Sequence, residues 1–240
     1  MQRDLTIFYN GLKELNIELS DEQIEQFIKY YELLIKKNEV MNLTAITEFD
    51  EVLVKHFLDS LSIVKILDLH NIKTVIDVGT GAGFPGIPLK IAFPHLNLVL
   101  ADSLNKRVKF LEETCFMLGL LKVDCVHGRA EDLGQNKKYR EQFDLCVSRA
   151  VANLSTLSEY CLPFVKVGGN FVPYKAGGVD NELESGKNAI SKLSGRIDQK
   201  IEFELPGSDM KRVLLNISKV RPIAKTYPRK AGMPAKEPLS

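Results

Sequence analysis

From residue 74 onward, short runs of β-branched and aromatic residues alternate with stretches of helical periodicity, and this alternation is the strongest limit on the fold. Seven runs are predicted as strands: residues 75–78, 98–101, 123–127, 143–148, 171–174, 202–205 and 213–217. Helices fill most of the gaps, and right-handed crossovers then predict a mostly parallel sheet covered on both faces. The last two runs lack a helix between them, so we expect an antiparallel hairpin at the sheet edge. The predicted fold class is α/β.

The chain ends differ in pattern from this central region. Ser20 and Gln23 form a capping box ahead of an amphipathic helix, and Thr47 with Asp50 repeats the signature before a second helix. We therefore predict a helical extension over residues 1–70, packed on a core of residues 71–220 within a single overall domain. Residues 221–240, the C-terminal segment, are rich in Pro, Lys and Arg and predict an extended basic tail.

Composition excludes several classes of protein. With 45% hydrophobic and 26% charged residues the chain is typical of a globular protein, and its net charge of +1 leaves nucleic-acid binding to any local excess of cations. Arg3 and Asp4 interrupt any apolar signal segment, and no span is long enough for a membrane helix. We expect a cytoplasmic protein. The four cysteines and four histidines are scattered without ligand spacing, so no metal is predicted.

The stretch 75–86, Val-Ile-Asp-Val-Gly-Thr-Gly-Ala-Gly-Phe-Pro-Gly, carries the strongest indication of a ligand. A buried strand brings Asp77 to its end, and glycines then recur at alternate positions, including Gly79 and Gly81. Glycine allows the backbone to turn tightly and to approach a ligand closely. A helix is predicted to begin near Pro85. The ligand is therefore expected above the carboxyl edge of the sheet.

Two cofactor classes compete for this loop, because residues 81–86 also satisfy the dinucleotide pattern G-x-G-x-x-G. Asp77 would repel the pyrophosphate of a dinucleotide, whereas it favours the ammonium and sulfonium of S-adenosylmethionine. We therefore predict S-adenosylmethionine. A NAD-dependent oxidoreductase is the alternative, and a ribosome-binding module with an inactive site is a third reading.

Three further positions are predicted to reach the same edge. Asp102 lies about twenty residues beyond the glycines, where an acid accepts hydrogen bonds from ribose, although it could instead cap the next helix. Ala130 and Glu131 follow the third strand, where an adenine would bind, and their alternative is a solvated first helical turn. Arg149 ends the fourth strand, where it suits a cofactor carboxylate or an RNA phosphate.

The motifs that follow the fourth strand limit the reaction. No Asn/Asp-Pro-Pro-aromatic element is present to hold an exocyclic amine, and no Pro-Cys nucleophile is present to add to a pyrimidine. Guanine N7 carries an exposed lone pair that needs neither device, and its methylation requires alignment rather than a base. We therefore nominate no catalytic residue.

The chain resembles the bacterial small-subunit rRNA guanine-N7 methyltransferases, also called the glucose-inhibited division protein B family. The resemblance covers almost the whole length and rests on residues 38–47, 56–60, 77–86, 149–152 and 227–234. It implies a Rossmann-like class I methyltransferase fold and methylation of a guanosine N7 in 16S rRNA, with the small ribosomal subunit as partner. It also implies cofactor contacts at Gly79, Phe84, Ala130, Glu131 and Arg149. Lys37 stands where the family often has a tryptophan.

The resemblance gives the C-terminal segment a function. The segment has several basic residues and a single acidic one, Glu237. We therefore assign RNA contacts to Arg229, Lys230 and Lys236. A solvated tail is the alternative. The family motifs also include residues that could line the substrate side of the pocket, although structural hydrogen bonds explain them equally: Asn38, Asn42, His56 and Asp59. We expect a monomer.

Overall fold

The computed structural model describes residues 3–149 and 152–239. Its centre is a seven-stranded sheet of order β3-β2-β1-β4-β5-β7-β6. The strands are β1 (Thr74–Val78), β2 (Asn97–Asp102), β3 (Val123–His127), β4 (Phe143–Arg149), β5 (Val165–Ala176), β6 (Gly195–Glu204) and β7 (Lys211–Lys219). β7 runs antiparallel to both of its neighbours, and the other pairings are parallel. The predicted sheet and its terminal hairpin are confirmed.

Helices precede the sheet and connect its strands. They are α1 (Thr6–Glu14), α2 (Asp21–Met41), α3 (Phe49–Val52), α4 (Asp59–Leu61), α5 (Gly86–Ala92), α6 (Asn105–Met117), α7 (Ala130–Gln135), α8 (Leu154–Cys161), α9 (Asp180–Lys192) and α10 (Met233–Lys236). The capping box is confirmed, because Ser20 Oγ accepts from the Gln23 N–H and the Ser20 N–H donates to the Gln23 side chain. None of the described helices has the length and apolarity that crossing a membrane requires.

The second predicted cap is wrong. Helix α3 begins after Glu48 and its N-cap has no side-chain hydrogen bond. Packing of this segment against α2 sets the start of α3 instead, because the hydroxyl of Tyr31 on α2 donates to the carbonyl of Thr47. A π-helical turn over Leu53–Leu58 follows and leads into α4. π-Turns are frequent at functional sites, and this one carries His56 directly ahead of Asp59.

Apolar side chains cover both faces of the sheet. Successive residues of a strand face opposite sides, and in β1 Val75 packs in one cluster while Ile76 packs in the other. The first cluster joins the sheet to the N-terminal helices through a group of rings: Phe8, Phe27, Tyr30, Phe57 and Phe84. Burial of this kind on both faces is what a parallel sheet requires.

The C-terminal segment is folded onto the core and is not the extended tail that its composition predicts. The guanidinium of Arg140 donates to four backbone carbonyls, three of which belong to residues 223–227. Pro228 and Pro234 are buried, and Pro234 is the buried residue of α10. Composition could not reveal this docking, because it depends on polar partners far away in the sequence.

Candidate functional site

The glycine loop, residues 79–86, joins β1 to α5 at the carboxyl edge of the sheet. Gly79, Gly81 and Gly83 have φ values of 70°, 63° and 106°, a region that side-chain-bearing residues rarely occupy. The N–H groups of Gly79 and Thr80 bind the carbonyl of Ala101 on β2. A Cβ placed on Gly81 would meet no heavy atom within 4 Å. The loop therefore offers open space against its own backbone.

Asp77 lies beneath this loop and is fully buried. Its Oδ2 accepts from the Thr80 hydroxyl at 2.7 Å and from the Gly86 N–H at 2.8 Å. Burial raises the pKa of the carboxyl to about 7, against the lowering effect of these two hydrogen bonds. Among the described residues, Oδ1 has no hydrogen-bond partner. Asp77 thus shapes the loop, and one of its oxygens is left for a further donor or cation.

Asp102 connects the loop to the next crossover. Its Oδ2 accepts from the Gly81 N–H and its Oδ1 from the Leu104 N–H, both at 2.9 Å. Helix α6 begins at Asn105 without a side-chain cap on its N-cap residue, so the carboxylate orders the turn ahead of the helix. Ordering this turn and binding a ribose are compatible roles for Asp102, because a carboxylate has about four acceptor sites and these hydrogen bonds use only some of them. Its contact with ribose stays a prediction.

Ala130 and Glu131 form the first turn of α7, beside the end of β3. Glu131 is buried, and its Oε1 accepts from the Gly232 N–H of the C-terminal segment at 2.8 Å. A solvated acidic turn is therefore wrong for Glu131. The structure brings the predicted adenine-side residues and the C-terminal segment together, which the sequence spacing did not indicate.

Arg149 lies at the end of β4 within a polar cluster. Its Nη1 donates to Asp59 Oδ2 at 2.7 Å and to the Lys55 carbonyl, and its Nη2 donates to His56 Nδ1 at 3.2 Å. Its guanidinium lies 5.0 Å from the centre of the Phe84 ring. Three of the five N–H donors of an arginine are thus used inside the protein, and two remain for a ligand.

His56 is neutral in this cluster. Burial and the neighbouring Arg149 lower its pKa to about 3. Its Nδ1 accepts from Arg149, so we assign the proton to Nε2, which lies 2.8 Å from Thr44 Oγ1. The imidazole stacks on the Phe84 ring at 4.4 Å. Phe84 is itself only 6% exposed, so little of its surface is left for the predicted contact with a cofactor.

The asparagines of the first family motif have structural hydrogen bonds. The Asn38 side chain binds both the N–H and the carbonyl of Thr44 at 2.9 Å. Asn42 ends α2 in the left-handed conformation, with φ at 48°. The hydrogen bonds of Asn38 hold Thr44 beside His56. The structure thus brings His56 and Asp59 to Arg149, while Asn38 reaches His56 only through Thr44.

Two residues of the site escaped the sequence reasoning. Arg212, at the start of β7, donates from Nε to Asp59 Oδ1 at 2.8 Å. Glu159 on α8 is fully buried and binds Arg229 through the backbone N–H, Nε and Nη2. Each partner lies at least 70 positions away in the chain, and no local motif marks either residue.

The residues predicted to contact RNA differ in exposure. Lys230 and Lys236 are exposed on the C-terminal segment. Arg229 is instead committed to Glu159, and only 25% of its side chain is exposed. A phosphate would have to compete with a buried carboxylate for Arg229, so the structure assigns it to anchoring the segment. Within the described parts of the chain, no cluster of His, Cys, Asp or Glu has the arrangement of a metal site.

Comparison with known proteins places this site in a family. Residues 23–207 match the family model described as rRNA small subunit methyltransferase G, abbreviated GidB. The chain belongs to this family. The ribosomal RNA small subunit methyltransferase G of Lachnoclostridium phytofermentans is 52% identical over 237 residues, which cover 99% of this chain and 98% of that protein. The protein of the same name from Alkaliphilus oremlandii is 53% identical and covers 97% of this chain and 98% of its own.

Solved structures of lower identity show the fold. The StiE O-MT domain aligns with a TM-score of 0.54 at 15% identity, over 66% of this chain and 72% of that one. M. jannaschii TYW2, solved in complex with AdoMet, aligns with a TM-score of 0.52 at 15% identity, over 62% and 70%. The predicted Rossmann-like class I methyltransferase fold is confirmed.

Membership in the rRNA small subunit methyltransferase G family decides between the functional readings. It confirms the methyltransferase prediction over the oxidoreductase. The matched span 23–207 contains all seven predicted cofactor residues. The C-terminal segment lies beyond that span, yet the Lachnoclostridium relative aligns with 99% of the chain, so the similarity includes most of the segment. Two residues of the 149–152 motif, Ala150 and Val151, lie outside the described residues.

Proposed function

We propose that the protein is an S-adenosylmethionine-dependent methyltransferase that methylates N7 of a guanosine in 16S rRNA of the small ribosomal subunit. The observation that carries this proposal is the glycine loop, which leaves open space at Gly81 and is held in shape by the carboxyl groups of Asp77 and Asp102. It lies at the carboxyl edge of a parallel sheet, where open α/β folds bind their ligands. The relatives named for rRNA methylation supply the substrate class.

The carboxyl groups and the glycine backbone at this edge suit S-adenosylmethionine. The carboxyl group of Asp77 lies beneath the loop with Oδ1 unpartnered among the described residues, and in its ionised form it favours a nearby positive charge and disfavours a diphosphate. Gly79 and Gly81 give backbone access, Asp102 retains acceptor sites for ribose hydroxyls, and the Ala130–Glu131 turn lies where an adenine would bind. When bound, the cofactor supplies a methyl group on a positively charged sulfur.

The contribution of the protein to the reaction is alignment. The N7 lone pair of guanine is free in the neutral base, so no proton has to be removed before the methyl transfer. The imidazole of His56 suits this account, because a pKa of about 3 and a hydrogen bond from Arg149 make it a poor proton acceptor. His56 and Phe84 form a stacked pair that holds the guanidinium of Arg149 in place. We assign no catalytic base.

The RNA side of the proposal rests on exposed cations. Lys230 and Lys236 are exposed on a segment that Arg229 and Glu131 anchor beside α7. Backbone phosphates bind such side chains without regard to base sequence. A protein with this substrate works where ribosomes assemble, in the cytoplasm, and we propose that it acts as a monomer.

A methyl-transfer assay tests the proposed function. Small ribosomal subunits from cells that lack the gene are incubated with the protein and labelled S-adenosylmethionine, and the product is mapped by N7-specific strand cleavage. We expect label at a single guanosine of 16S rRNA. Label on a pyrimidine or on an exocyclic amine would refute the N7 assignment, and unlabelled RNA would refute the reaction.

A further inference from the structure

Two arginines meet at the carboxyl edge of the sheet, beside the glycine loop. Arg149 ends β4 and pairs in register with Tyr174 of β5. Arg212 is the second residue of β7 and pairs with Ala176, the last residue of β5. Both side chains therefore start from the edge at which the cofactor is expected, on the side away from β2 and β3. A nucleotide held next to the cofactor would approach this side.

One buried carboxylate serves both arginines. Asp59 receives Arg149 on Oδ2 at 2.7 Å and Arg212 on Oδ1 at 2.8 Å. His56, the other titratable group in contact with Arg149, is neutral. The two guanidinium groups thus share one directly bound carboxylate. Asp77 also interacts electrostatically with Arg149, although burial raises its pKa to about 7, and Arg212 has only its share of Asp59 among the described ion pairs. A partly buried positive charge without a full counter-charge is costly.

Two lysines near this edge have carboxylate partners of their own. Lys55, whose carbonyl binds Arg149, makes an ion pair with Glu51. Lys175 on β5 makes an ion pair with Glu182. Within residues 3–149 and 152–239, each of these two lysines thus has a carboxylate of its own, whereas the two arginines share Asp59.

Exposure determines which member of the pair an anion would meet. Only 4% of the Asp59 side chain is exposed, against 20% of Arg212 and 15% of Arg149. Arg212 uses Nε on Asp59 and Nη1 on the carbonyl of Lys211, and its Nη2 makes no hydrogen bond to the described residues. The carboxylate lies behind the guanidinium groups, so an approaching anion meets N–H donors and not Asp59.

We propose that Arg212 binds a backbone phosphate of the RNA substrate beside the nucleotide that is methylated. A guanidinium matches the geometry of a phosphate with paired N–H donors, and Asp59 fixes its orientation through Nε. Arg149 then faces the cofactor with its two remaining donors, while Arg212 faces the nucleic acid. This inference rests on the proposed function, because it assigns RNA as the ligand of the same site.

Salt-dependent binding tests the assignment. Affinity for unmethylated small subunits is measured with adenosylhomocysteine present, between about 50 and about 200 mM salt at fixed magnesium, where each phosphate contact adds to the slope of log affinity against log salt. The variants are Arg212→Gln and Arg212→Lys. The matched control is Arg196→Gln, because Arg196 lies in the same hairpin, pairs with Asp198 and is 69% exposed. Affinity for adenosylhomocysteine is measured in parallel by calorimetry.

We expect Arg212→Gln to weaken subunit binding and to reduce the salt slope by about one. Arg212→Lys should keep the slope, and Arg196→Gln should match the unmodified protein. Affinity for adenosylhomocysteine should stay unchanged in all three. An unaltered slope in Arg212→Gln would overturn the proposal, as would a loss of cofactor affinity equal to the loss of subunit affinity.

Asp59→Asn separates phosphate binding from a structural role and covers the case in which Arg212→Gln does not fold. Phosphate binding predicts a slope at least as steep as that of the unmodified protein, because Arg212 remains and a negative charge is lost. A purely structural ion pair predicts that Asp59→Asn and Arg212→Gln behave alike, which would refute the assignment. If the unmodified protein transferred no methyl group to the subunits, the proposed function would fail first, independently of Arg212.

Discussion

Three buried carboxylates organise the site at the scale of single residues. Asp77 and Asp102 each bind the glycine loop, and Asp59 binds the two arginines at the neighbouring strand ends. Asp59 and Asp102 accept hydrogen bonds on both oxygens, whereas Asp77 accepts two on Oδ2 and leaves Oδ1 without a partner among the described residues. Their effect is to fix the backbone of the glycine loop at Gly81 and Gly86 and to orient the two arginines. The unused donors and acceptors are the candidates for contacts with ligands.

Gly79→Val tests the loop at this scale. Its φ of 70° places any L-residue in the left-handed region, which costs about 1–2 kcal/mol of stability and more for a β-branched side chain. Gly119→Val is the matched control, because Gly119 has a φ of 68° in the turn after α6, away from the site. Both variants should lose similar stability in urea unfolding.

Only Gly79→Val should lose affinity for adenosylhomocysteine in calorimetry, because its side chain fills space that a ligand requires. Equal affinity in the two variants would show that the cofactor does not approach Gly79.

Two elements brace the site at the scale of secondary structure. From the N-terminal side, the Tyr30 hydroxyl on α2 binds the carbonyl of Ala82 in the glycine loop at 2.7 Å. From the C-terminal side, Glu131 on α7 and Glu159 on α8 bind the C-terminal segment. The loop and the predicted RNA-contacting residues are therefore held by elements from the two ends of the chain.

Arg229→Ala tests the C-terminal brace. It would leave the carboxylate of Glu159 buried without its counter-charge and with only the backbone N–H of residue 229 as a donor, which lowers the free energy of unfolding by about 3–5 kcal/mol. Lys230→Ala, one residue away and exposed, should change it by less than about 0.5 kcal/mol. Urea unfolding gives both values, and limited proteolysis of the C-terminal segment should accelerate in Arg229→Ala alone. If the two variants were equally stable, Arg229 would not anchor the segment and would again be a candidate for the RNA contact that the sequence predicted.

The secondary-structure elements also show which features of the fold a local sequence pattern can predict. Alternating strands and helices predicted the sheet, and the glycine spacing predicted the loop at its carboxyl edge, whereas binding of a cofactor at that loop stays a prediction. β6 begins at Gly195, seven residues earlier than predicted, because it is an edge strand whose exposed face carries polar residues that weaken the β signal. The ion pairs of Arg212 and Arg229 depend on contacts across the fold, and no local pattern specifies them.

At the scale of the whole molecule, the net charge is small and the positive charge is concentrated locally. The net charge is only +1, yet the arginine pair at Asp59 and the exposed lysines of the C-terminal segment lie on elements that flank the sheet edge. Opposite charges elsewhere pair on the surface, where they contribute little to stability. The molecule thus presents local positive charge beside a loop that suits a cationic cofactor.

A crystal structure of the protein with adenosylhomocysteine would locate the cofactor. We expect the ligand above the carboxyl ends of β1 and β2, in contact with the backbone of the glycine loop and within reach of Asp102 and the Ala130–Glu131 turn. Density for the ligand elsewhere, or a loop that accepts NAD with its pyrophosphate on residues 79–86 and leaves adenosylhomocysteine unbound, would contradict this expectation.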